Sequence, residues 1–94
     1  MLAIARFNVP LAQGATFQVE IELAHAALTQ RDGYQSGQSG RNLDDPTLWV
    51  LMTQWKNVGS YRRALSANEV KMHAVPLLAR AIDEPGAYES EPTA

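Results

Sequence analysis

The sequence contains no cysteine, which removes disulfide frameworks, thiolate zinc sites and cysteine nucleophiles together. It also lacks a run of basic residues: 8 Lys and Arg stand against 10 Asp and Glu, for a formal charge of -2. A phosphate backbone or an anionic membrane surface has nothing to bind there, so neither nucleic acid nor a membrane is expected as a partner. No apolar stretch approaches the ~20 residues of a membrane span. The opening MLAIARFNVP is interrupted by Arg6 and Asn8, unlike a signal-peptide core. The expectation is a cytoplasmic protein. Charged residues are scarce at 19%, while hydrophobic residues make up 46%, a balance that fits a folded chain and not a disordered one. No nucleophilic triad, phosphate-binding loop or Gly-rich dinucleotide turn can be assembled, since the glycines of GYQSGQSG are irregular and precede no helix. Chemistry is left to two His, the carboxylates, the hydroxyls and a few aromatics.

The 94 residues fit one domain, 1–94, with a frayed tail at about 91–94. Leu2 to Val9 is a short apolar run closed by Pro10, which predicts a first strand. Phe17, Ile21, Ala24 and Leu28 then recur at helical spacing and form one apolar stripe, and Asp32-Gly33 ends that helix. Tyr34 to Asn42 is polar and glycine-containing, yet it precedes the turn Asp44-Asp45-Pro46 and the clearest strand of the chain, Thr47 to Trp55. A hairpin joins the two, so the polar segment is read as a weak strand. Along the strong strand Trp49, Leu51, Thr53 and Trp55 point one way and Leu48, Val50, Met52 and Gln54 the other. Asn57 can cap a short helix presenting Val58, Tyr61 and Leu65, and Ser66 or Asn68 can cap the next. The last helix carries Val70, Ala74, Leu77, Leu78 and Ala81, with a break near Val75 because Pro76 removes a backbone donor. Ala87 to Ser90 closes as a short strand.

Strand, helix, strand, strand, helix, strand is the split βαβ order: a ferredoxin-like βαββαβ fold of the α+β class, with helices on one face of an antiparallel sheet. The strong strand is apolar on both faces, so the second face also needs cover. In so short a chain the simplest cover is a second copy, which predicts a homodimer joined through its sheets.

At WKNVGSYRRALS a Trp closes the third strand, a Tyr follows six residues on, and a Ser precedes the next helix. This pattern resembles the antibiotic biosynthesis monooxygenase family, and the similarity runs from MLAIARF through DDPTLWVL to PLLARAIDEPGAYE. The resemblance implies a dimeric α+β barrel with a pocket between helices and sheet in each subunit. It also implies oxygenation of a small hydrophobic, aromatic or polyketide-like substrate by O2, with no metal, flavin or other cofactor. In that chemistry the substrate loses a proton, its carbanion reduces O2, and the protein orients the substrate, stabilises the anion and excludes water. Trp55 and Tyr61 match the family's aromatic positions, as pocket wall and as hydrogen-bond donor to a substrate oxygen. Where oxygenase members can carry an amide, four positions before the Trp, this chain has Leu51. A haem-degrading branch of the superfamily uses an Asn, a Trp and a His. Here the first two positions hold Phe7 and Ala64, and His73 lies about one residue from the third, so haem binding or degradation ranks below oxygenation. A dimeric small-molecule-binding module without catalysis is the remaining alternative.

The expected catalytic residues are therefore Tyr61 and His73, and the expected substrate-binding residues Trp55, Phe7 and Leu51. Each has a plainer reading. His73 is either a half-buried structural residue or a base that titrates near neutrality. Trp55 is either core or pocket wall, and the Tyr61 hydroxyl serves either the backbone or a substrate. His25 reads as structural or solvent-facing, Trp49 as a packing or dimer-interface residue, and Arg6 as a paired interfacial charge.

Overall fold

The computed structural model describes residues 1–90; the tail expected at 91–94 lies outside them. The order is β1 (Leu2–Asn8), α1 (Gly14–Thr29), β2 (Tyr34–Arg41), β3 (Leu48–Trp55), α2 (Val58–Ala64), α3 (Asn68–His73), α4 (Val75–Leu78) and β4 (Ala87–Tyr88). The strands form one sheet in the order β2-β3-β1-β4, every neighbouring pair antiparallel. This is the expected βαββαβ arrangement. Among the described residues no helix is long and apolar enough to cross a membrane.

The alternation along β3 decides the layering. Trp49, Leu51, Thr53 and Trp55 are buried, while Leu48, Val50, Met52 and Gln54 are only partly so. The buried face meets the stripe of α1, where Phe17, Ile21, Ala24 and Leu28 are all lost to solvent. Phe7, Phe17 and Trp49 stack in tilted and edge-on contacts, with centroids 5.2 and 5.4 Å apart. Trp49 thus belongs to the helix-side core, and Arg41 lies over its ring. On the other face β1 sets Ile4 opposite Met52 and Arg6 opposite Val50.

The polar segment is a strand despite its composition, because Tyr34–Arg41 pairs along the full length of β3 with one bulge between Tyr34 and Ser36. Tertiary pairing overrides weak propensity there.

Two helical details depart from expectation. Asn57 caps α2 as foreseen, its Oδ1 accepting from the Ser60 amide at 2.8 Å. The helix, however, buries Ser60 and Ala64 and leaves Val58 exposed. Gly33 explains the rotation: at φ +88 it turns the chain tightly, and a Cβ there would come within 2.4 Å of Ser60 Cβ. The Ser60 side of α2 therefore lies flat against the turn. The next helix begins after an extended Ala67 and has no side-chain cap. Ser66 is still engaged by the preceding turn through Arg63 O, and Asn68 is already helical. The break falls at Ala74, with Pro76 in the first turn of α4, where its missing N–H costs nothing.

Candidate active site

Between the sheet and the helices lies a cavity of about 290 Å³, near the small end of ligand sites. Its floor is Ala3 and Ala5 of β1 with Leu51 and Thr53 of β3, and its roof includes Leu28, Tyr61 and Leu78. The space exists because β1 offers methyl groups at 3 and 5 where a strand could carry branched side chains, while the bulk of Phe7 and Trp55 sits to either side.

The mouth opens at the sheet edge. Beyond the β1–β4 ladder the returning chain bonds β1 at two further points, Ile82 N to Arg6 O at 2.8 Å and Ile4 N to Gly86 O at 2.7 Å. Asp83, Glu84 and Pro85 loop out between them. Glu84 faces the opening and accepts two hydrogen bonds from the Arg6 guanidinium, at 2.8 and 2.6 Å. Those bonds hold the Glu84 carboxyl below the usual carboxylate range and raise Arg6 in turn. Arg6 is paired, as expected, but within its own chain.

Two hydroxyls interrupt the otherwise apolar lining. Thr53 is 2% exposed, and its Oγ1 accepts the indole N–H of Trp55 at 2.7 Å. With a lone pair so occupied, the hydroxyl proton of Thr53 is left to donate elsewhere. Tyr61 packs its ring against Trp55, with centroids 5.4 Å apart. Its hydroxyl has no hydrogen-bond partner among the described residues, and burial pushes the phenol pKa up. Tyr61 therefore keeps its proton at neutral pH and acts as a donor.

The five expected site residues divide. Tyr61 and Leu51 line the cavity. Trp55 is fully buried behind Thr53 and Tyr61 and reaches the cavity through them. Phe7 is core, packed against Phe17. His73 lies away from the others on the outer side of α3, half-exposed and 3.6 Å from Glu69. One helical turn separates His73 from Glu69, a spacing that aims the imidazole along its own helix surface. Thr53 was not singled out as a candidate, although strand alternation already placed it beside Trp55. His25 is also engaged: its Nε2 lies 2.7 Å from the Tyr34 hydroxyl. Among the described residues no three His, Asp or Glu side chains are arranged to hold a metal ion.

Comparison with known proteins agrees with this architecture. A variant of SnoaB, a cofactor-independent oxygenase from Streptomyces nogalater, superposes with a TM-score of 0.81 at 25% identity, covering 98% of this chain and 93% of its own. SnoaB itself gives the same TM-score at 24% identity. A candidate antibiotic biosynthesis monooxygenase from Deinococcus radiodurans follows at 0.73 and 20%, covering 99% of this chain and 94% of its own. A search of curated protein sequences gives no significant match. The sequence model of the family described as antibiotic biosynthesis monooxygenase matches residues 1–74. The chain belongs to the antibiotic biosynthesis monooxygenase family.

Proposed function

We propose that the protein is a cofactor-independent monooxygenase that oxidises a small, hydrophobic, aromatic or polyketide-like substrate with O2. The observation that carries this reading is the pairing, in one apolar cavity, of two protonated hydroxyls, Thr53 and Tyr61, with charge confined to the mouth. Such a lining favours a flat, greasy molecule and stabilises an oxyanion that develops on it. Thr53 supplies the polar group that Leu51 does not.

For an anthrone-like substrate the reaction balances as follows: the ring methylene and one O2 become a ring carbonyl and one water. The C–H proton leaves to water at the mouth, where Glu84 is the single carboxylate among the described residues that line the cavity. Arg6 engages both of its oxygens and holds it ionised, so Glu84 favours the departing proton by its charge and does not itself carry it. The carbanion gives one electron to O2, the radical pair collapses to a peroxide anion, a proton returned from water makes it the hydroperoxide, and loss of water leaves the ketone. Thr53 and Tyr61 hold the substrate oxygen as charge moves onto it, and the apolar walls keep water from the reactive carbon.

The homodimer belongs to the same proposal. Leu2, Ile4, Val50 and Met52 form a partly exposed apolar patch on the face that the helices leave open, and a second copy laid against it closes the sheet surface of both. Haem does not fit the cavity: no imidazole lines it, and His73 faces outward. Oxygen uptake with a panel of anthrones and hydroquinones tests the reading. Stoichiometric O2 consumption with quinone formation is expected, and no consumption with any member of the panel would overturn it.

A further inference from the structure

A second hollow, of about 210 Å³, lies where the turn from α1 to β2 meets α2, and it is lined by Arg31, Asp32, Ser60, Arg63, Ala64 and Ala67. It shares no lining residue with the cavity at Tyr61, although Ser60 and Tyr61 are consecutive on α2. The backbone fixes its frame. Arg31 donates its amide to Leu28 O at 3.1 Å, its carbonyl accepts from Tyr34 N at 3.2 Å, and Gly33 O accepts from Lys56 N at 2.8 Å. The turn is thereby tied to both α1 and the end of β3.

The side chains around this hollow do not satisfy one another. Arg31 Nε is buried and has no hydrogen-bond partner among the described residues. A buried donor without an acceptor is rare in folded proteins and marks a place for a water or an ion. Arg6 and Arg80 pair with Glu84 and Glu20, but neither Arg31 nor Arg63 pairs with Asp32 or any other carboxylate among the described residues. Arg63 is nonetheless held in place. Its Nη2 donates to Ser60 Oγ at 3.3 Å, and its guanidinium lies so close over Gly59 that a Cβ there would stand 3.2 Å from Nη1. Ser60 is 4% exposed, and since its oxygen accepts from Arg63, its hydroxyl proton is left to donate. Donors of three side chains, brought together from two segments distant in sequence, thus line one hollow and lack an acceptor.

We propose that this hollow is a binding site for a small organic carboxylate, held by the Arg31 and Arg63 guanidiniums and the Ser60 hydroxyl. Two guanidiniums and one carboxylate, Asp32, line it, which leaves one net positive charge. A carboxylate neutralises that charge, whereas a phosphate dianion would exceed it and turn its surplus toward Asp32. Guanidinium forks suit the planar carboxylate group. The Ala64 and Ala67 methyls give an apolar body a side to rest on, and the volume lies below the range of drug-sized sites, which sets the ligand at about a single ring. The binding does not depend on the oxygenase reading, since no residue of the cavity takes part.

Titration of the protein with benzoate, followed by amide chemical shifts, tests the site. Saturable binding of one benzoate per chain is expected, with shifts centred on residues 31–33 and 60–67. Benzamide, which keeps the shape without the charge, and phenyl phosphate, which puts the same ring on a dianion, should each bind about tenfold more weakly or worse, the scale of one charge-assisted contact. Arg31→Gln and Arg63→Gln should each raise Kd by about the same factor. Arg63 is exposed, so its variant keeps the fold whatever becomes of the Arg31 variant. Absence of saturation would leave water as the occupant at Arg31 and overturn the site. An affinity indifferent to Arg63→Gln, or benzamide or phenyl phosphate binding as well as benzoate, would overturn it too, as would shifts centred on Ala3, Ala5 and Leu51, which would put benzoate in the other cavity. O2 uptake enters none of these readouts, so failure here leaves the oxygenase reading where it stands.

Discussion

The indole N–H of Trp55 donates to Thr53 Oγ1 at 2.7 Å across two residues of one strand face, with both side chains buried. This bond turns a core tryptophan into a positioning group. It fixes the Thr53 rotamer and directs the free hydroxyl proton away from the indole.

Thr53→Val keeps the shape and removes the acceptor. It leaves the Trp55 N–H unpaired in the core, which is expected to cost about 1–3 kcal/mol and to lower O2 uptake, whereas Thr53→Ser retains most of both. Urea unfolding with O2 electrode assays checks this. Equal activity in the Val and Ser variants would remove Thr53 from the site.

Tyr61→Phe should leave stability nearly unchanged, because the hydroxyl has no protein partner among the described residues to lose. Turnover should fall about 100-fold or more, the scale of losing one donor to a developing oxyanion. A drop in stability without a drop in kcat would mean that the hydroxyl serves the fold.

Burial lowers the His25 pKa from its model-compound value of 6.5, so the unfolded chain takes up this proton more readily than the folded one. The stabilising contribution is complete above pH 6.5 and is lost as the pH falls below it through the folded-state value. A urea midpoint that declines below pH 6.5 is expected, and it should flatten in His25→Gln. Asp45 and Glu84, whose pKa values lie below the reference values of 3.8 and 4.5, act in a lower window and do not obscure it.

Sedimentation at micromolar concentration should show dimers, and Val50→Lys, which places a charge amid the partly exposed patch of the outer face, should shift them to single chains. Single chains in the parent protein would remove the sheet-to-sheet pairing.

Periodicity carried most of the architecture, since the Phe17–Leu28 stripe and the alternation in Thr47–Trp55 each leave one way to face the core. It failed where a neighbour sets the rotation of a short element. Val58 was expected inside with Tyr61 and Leu65, but the close approach of Gly33 to Ser60 rotates α2 enough to expose Val58 while Tyr61 and Leu65 stay against the core, and that contact spans the gap between two distant segments. Of the residues expected at the site, Tyr61 and Leu51 line the cavity. His73 shares a helix with core residues, and one helical step decides whether such a residue meets the cavity or solvent. Thr53 reads as a polar interruption until the indole beside it is seen to bond it, and the His25–Tyr34 bond depends on the pairing of a strand that propensity would have left as loop.

The detour of Asp83–Pro85 puts the doorway on the rim of the sheet. Arg6, which holds Glu84 at that doorway, stands opposite Val50 on the outer face, so a second copy laid on that face would border the entrance. Exchange and assembly would then be coupled, and turnover per chain should change on dilution once the copies part.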